Sequence, residues 1–115
     1  MIVTRLTSFS AFLDFYKKYE DEKNSLNQRR NVLLYFTGSD DPVTKKSWCP
    51  DCVVSKPVIT EVIEKFKSDE RISLGIVEVG LRDEWKRPDN PYRTHAVKIT
   101  SVPTLLNLRT VSRMQ

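Results

Sequence analysis

The chain has 115 residues, of which 39% are hydrophobic and 30% charged, and its formal net charge is +4. That length can bury a real core as one domain, residues 1–115, without disulfide staples, and the composition excludes disorder. Basic residues occur as scattered pairs among acids (Arg29-Arg30, Lys45-Lys46, Lys86-Arg87), which reads as a solvated surface and excludes a nucleic-acid stripe. No apolar run reaches membrane-spanning length, and Met1 to Arg5 lead into mixed polar sequence without an export signal, so a cytoplasmic protein with no membrane partner is expected.

In chain order, Ser8 is placed to cap a helix whose apolar positions Phe9, Phe12, Leu13, Tyr16 and Tyr19 follow three-and-four spacing. The polar stretch 20–30 reads as a loop or frayed helix end, and the apolar run 32–36 as a buried parallel strand. A long polar loop follows at 37–47, with Gly38, Asp40, Asp41 and Pro42. From Cys49 a second helix is expected to bury Val53, Val58, Ile59, Val62, Ile63 and Phe66, and to bend at Pro57. A strand at 72–79 ends at Gly80. Residues 81–95 are irregular or briefly helical, broken by Pro88 and Pro91, and 102–106 is a last strand with Pro103 at its start. This order is α/β.

The only two cysteines lie three positions apart in Trp48-Cys49-Pro50-Asp51-Cys52, at a helix start. Disulfide exchange needs an exposed, partly ionised thiolate and a second sulfur close enough to resolve the mixed disulfide. Cys49 would receive the unpaired N–H groups and positive end of the helix dipole, which makes it the nucleophile and Cys52, one turn inside, the resolving thiol. Pro50 fits the first turn, where its missing N–H costs nothing. The carboxylate of Asp51 opposes ionisation of Cys49, so a moderate thiolate pKa of about 6 to 7.5 is expected. Zinc would need four ligands, and only His95 joins the cysteines, so no metal is expected. A purely structural disulfide Cys49-Cys52 would close too short a loop to stabilise much. Trp48 either shapes the rim of the site or covers the helix start. Trp85 reads as a structural anchor, while His95, Arg93 and Lys98 read as solvated side chains.

The W-C-x-x-C at a helix start, Pro57 five residues beyond the second cysteine, and Val102-Pro103-Thr104 together resemble the thioredoxin superfamily. Tyr35-Phe36-Thr37-Gly38, Ser47 to Cys52, Val79-Gly80, Trp85-Lys86, Pro88, Asn90 and Tyr92-Arg93 look more specifically like its fourteen-kilodalton thioredoxin-related, or Clot, family, over about 32–106. The resemblance implies a thioredoxin-like fold, with a central mixed sheet flanked by helices, and a cytosolic thiol-disulfide oxidoreductase. It implies reduction by NADPH through thioredoxin reductase, with no cofactor bound, and action on cystine and selected protein disulfides. Val102 and a cis Pro103 would present backbone to the substrate. The alternative is a thioredoxin-fold binding module whose cysteines are incidental or regulatory.

Departures from ordinary thioredoxin shape further expectations. The loop 37–47 is longer and could wall off one side of the cysteine pair. Where thioredoxin keeps a buried Asp that helps deprotonate the resolving cysteine, this chain has Tyr35, which leaves that role to Asp51 or water. The family's C-terminal strand and helix are expected to be missing, with at most a stub of strand after Leu108. Such an end implies either a truncated product or a bare sheet face covered by a partner or by self-association.

Overall fold

Alternation along the strands decides the layers. In β2 (Asn31–Thr37), Val32, Leu34 and Phe36 point to one face and are buried, while Leu33, Tyr35 and Thr37 point to the other. In β3 (Ile72–Glu78), Ser73, Gly75 and Val77 share the first face, and Leu74, Ile76 and Glu78 the second, because Tyr35 pairs with Ile76 and Thr37 with Glu78. The computed structural model describes residues 1–23, 31–95, 97–108 and 112–114. Its remaining elements are β1 (Ile2–Leu6), α1 (Phe9–Lys23), α2 (Pro50–Phe66), α3 (Arg82–Lys86), α4 (Pro91–Thr94), β4 (Thr104–Asn107) and β5 (Ser112–Met114). The strands form one mixed sheet in the order β1-β3-β2-β4-β5, with β1, β3 and β2 parallel and β4 and β5 antiparallel to their neighbours.

The first face carries the core. The Ser8 hydroxyl accepts the Ala11 N–H at 3.1 Å, the expected cap, and sets α1 so that Phe12 and Tyr19 pack on Leu6, Val32, Leu34, Phe36 and Val77. Gly75 permits this approach, since a Cβ there would stand 2.9 Å from Leu34 and 3.2 Å from Phe15. Trp85, Tyr92, Val97 and Ile99 extend the same core from the segment after β3.

Several expectations change. β1 was not foreseen; it pairs with β3 from Ile2↔Ser73 to Leu6↔Val77, although only its last residue is buried. α1 runs on to Lys23, and the rest of the polar stretch, 24–30, lies outside the described residues. α2 continues through Pro57 but buries only Cys52, whereas Val53, Val58 and Phe66, expected inside, are exposed. The second sheet face is correspondingly open, and a cavity of about 1210 Å³ lies between it and α2. After Leu108 the final strand is, as expected, no more than a stub, the three-residue β5 on β4. His95 is half-buried, its ring set edge-on to Phe9, Phe12 and Tyr16, and burial lowers its pKa. Arg93 is likewise no free surface charge: its guanidinium stacks 3.9 Å from the Trp85 ring and donates to the Trp85 carbonyl, which makes Trp85 the structural anchor expected of it.

Candidate functional site

Cys49 occupies the N-cap of α2 in extended conformation, immediately before Pro50 in the first turn. Its sulfur accepts the Cys52 N–H at 3.3 Å, as an N-cap side chain does, and its thiol donates to the Val102 carbonyl at 3.6 Å. The Val102-Pro103 peptide bond is cis, as expected. The loop that carries Val102 and Pro103 is thus brought against Cys49 across 53 residues of sequence. Cys52 is 2% exposed and its sulfur accepts the Gly38 N–H at 3.4 Å. Both cysteines are free thiols.

The loop 37–47 is braced. Asp40 bridges Ser47 in antiparallel fashion, and the Asp41 carboxylate accepts the N–H groups of Val43 and Thr44. Ser47 links loop to helix: its hydroxyl donates to the Gly38 carbonyl at 2.8 Å and accepts the Cys49 N–H at 3.2 Å. Sequence reading gave Ser47 no role, although a serine two residues before the N-cap is placed for such a turn. On the far side of the loop Gly38, Asp40, Lys45, Lys46 and Ser47 line the cavity beside Cys52, so the loop walls the resolving cysteine's side.

Trp48 covers more than it rims. Its ring lies where a Cβ on Gly38 would stand, 2.8 Å from Cε2, and its Nε1–H donates to the Gly80 carbonyl at 2.9 Å. Gly80 has φ +111°, a region that favours glycine, and also accepts the Ser39 N–H, so the end of β3 holds both the loop and Trp48. Asn90 fixes the next segment, donating to the carbonyls of Val79 and Glu84 and capping α4 through the Tyr92 N–H.

The electrostatics depart from expectation. Burial pushes the Cys49 thiol up to about 11, aided by the hydrogen bond with the Cys52 side chain, while the Cys52 and Asp51 backbone N–H groups pull the other way. Asp51 is exposed in the first turn and favours the thiolate through its backbone, and the burial of Cys49 itself overrides the moderate pKa that a helix end alone would give.

A dithiol split between a helix N-cap and its first turn, facing a cis-proline loop beside a mixed sheet, defines a thioredoxin-fold protein of thiol oxidoreductase type, with Cys49 and Cys52 close together. Residues 10–115 match the family model described as thioredoxin domain-containing protein 17-like, thioredoxin domain, and the chain belongs to that family. It is 37% identical over 111 residues to thioredoxin domain-containing protein 17 of Homo sapiens, covering 93% of this chain and 80% of that one. It is 34% identical over 101 residues to thioredoxin-like protein Clot of Arabidopsis thaliana, covering 87% and 70%. The solved structure of oxidised thioredoxin O1 from Arabidopsis thaliana has the same fold, with a TM-score of 0.56 over 100% of this chain and 83% of that chain at 18% identity.

Proposed function

We propose that this protein is a cytoplasmic thiol-disulfide reductase acting on cystine and selected protein disulfides. The Cys49 thiolate attacks one substrate sulfur, forms a mixed disulfide and releases the other as a thiol; Cys52 then attacks Cys49, forms the Cys49-Cys52 disulfide and releases the second thiol. Electrons return from NADPH through thioredoxin reductase. Val102 and Pro103 receive the substrate backbone, with Trp48, Pro50 and Asp51 shaping the surroundings. The observation that carries this reading is the position of the Cys49 sulfur, on the first N–H groups of α2 and 3.6 Å from the Val102 carbonyl. Family membership supports the class of chemistry. With burial pushing the thiol up to about 11, little thiolate is present at neutral pH, so attack depends on thiolate formed during encounter.

NADPH oxidation with thioredoxin reductase, comparing cystine with a bulky protein disulfide, tests it. Turnover is expected with the native chain and none with Cys49→Ser, while Cys52→Ser attacks once and stalls as a mixed disulfide. Substrate trapped by Cys49→Ser would reverse the two roles. Partner binding without NADPH consumption would replace the enzyme by a binding module.

A further inference from the structure

Cys52 sits above a group of hydroxyls that the exchange chemistry has not used. Tyr35, 6% exposed on the α2 face of β2, hydrogen-bonds Ser55 through its hydroxyl, and the Ser55 hydroxyl reaches back to the Cys52 carbonyl at 3.1 Å. Because that contact uses the Ser55 proton, Tyr35 is the donor in the pair. Thr37, two residues along the same strand face, lowers the Tyr35 pKa slightly. Tyr35, Thr37 and Cys52 line one cavity, and Ser55, three positions after Cys52 on α2, ties the phenol to the Cys52 backbone, so the strand and the helix set the phenol and the resolving cysteine on the same cavity.

We propose that Tyr35, oriented by Ser55, is the positioning residue that stabilises the Cys52 thiolate in the resolving step. Burial raises the phenol's pKa most; the Ser55 hydrogen bond is the next largest influence and opposes it, and negative charge on Cys52 and Cys49 adds to the rise, so the net shift is upward and Tyr35 stays protonated as a donor. In the resting dithiol its proton points to Ser55. As Cys52 loses its proton to cavity water, the hydroxyl turns toward the developing negative sulfur. Cys52 then forms its bond to Cys49, the bond from Cys49 to the substrate sulfur breaks, and the departing thiolate takes up a proton from solvent. Asp51, exposed in the first turn of α2, is left out of this step.

This inference rests on the proposed reductase chemistry, and its test separates the two. Single-turnover reaction of the reduced full chain with dithiobis(nitrobenzoate) releases one coloured thiolate on attack by Cys49 and a second on resolution by Cys52. In Tyr35→Phe the first release is expected to keep its rate within twofold. The second slows about tenfold, the loss of one hydrogen bond to a charged group, and its pH profile moves upward by about one unit. Ser55→Ala, which keeps the phenol but loosens its aim, slows the second release about threefold. Equal slowing of both releases in Tyr35→Phe would mean a merely structural role, and an unchanged second release with an unmoved pH profile would exclude any role. A native chain that releases only one thiolate, or none, would overturn the proposed function and this inference together.

Discussion

At the scale of single residues, the chemistry of Cys49 is decided by a competition that sequence spacing alone does not resolve. The helix start supplies N–H groups that favour the thiolate, and burial at 5% exposure opposes them and wins. Alkylation of Cys49 in the reduced protein, followed by peptide mass spectrometry, is therefore expected to quicken about tenfold per pH unit from 7 to 10, because only the thiolate reacts. A rate that levels off near pH 8 would show that the helix end prevails. The same shift links to stability. A thiol whose folded pKa lies near 11, above its ordinary 9.0, contributes stability that is whole below 9 and lost as pH rises through 11. Tyr92 offers a contrast in kind. Its hydroxyl is buried with no hydrogen-bond partner among the described residues, and burial and the Glu78 charge raise its pKa to about 12. Tyr92→Phe removes that unmet donor and is expected to be neutral or to stabilise the protein by up to about 1 kcal/mol in urea denaturation. A loss of 2 kcal/mol or more would reveal a partner for the hydroxyl.

At the scale of elements, legibility followed local pattern. α1 was readable because its aromatic stripe repeats at helical spacing behind a serine cap, and β2 because it is a short apolar run. The cysteine pair was readable because exchange chemistry tolerates few spacings. β1 was not, since an exposed edge strand carries little apolar signal. Nor was the environment of His95: its aromatic neighbours come from α1, far away in sequence. Ser55 had no signal at all, because its partner Tyr35 lies 20 residues upstream on another element. The segment 81–95 was read as irregular and anchored by Trp85, whereas its register on the sheet depends on Asn90, which makes three hydrogen bonds to Val79, Glu84 and Tyr92. Asn90→Ala should accordingly cost about 2 to 4 kcal/mol in urea denaturation, the net worth of those bonds together with the helix cap. A loss below 1 kcal/mol would show that Trp85 and Arg93 hold the segment without it.

At the scale of the whole molecule, the two sheet faces differ. The face under α1 is sealed by aromatic residues, while the face under α2 keeps the 1210 Å³ cavity and leaves the helix's own apolar residues in solvent. Val54 is 73% exposed and Val58 58%, one turn apart, on the side of α2 away from the cavity lining. Asp51 and Lys65 lie seven residues to either side of Val58, about two helical turns from it and so on its stripe of the helix, with Lys65 also among the residues that line the cavity. An antiparallel pairing of α2 with α2 from a second copy, centred on Val58, would set Val54 against apolar neighbours and Asp51 opposite Lys65 in both directions, as a two-fold interface requires. Few side chains take part, so the expected association is weak, with a dissociation constant on the order of 0.1 to 1 mM. Sedimentation equilibrium should show mass rising with concentration for the native chain and a monomer for Val58→Glu, which places two carboxylates on the two-fold axis. Asp51→Lys combined with Lys65→Asp, which exchanges the charges without altering their pairing, should leave association at the native level. A native chain that stays monomeric at millimolar concentration, or a Val58→Glu variant that associates equally well, would exclude self-association through this helix.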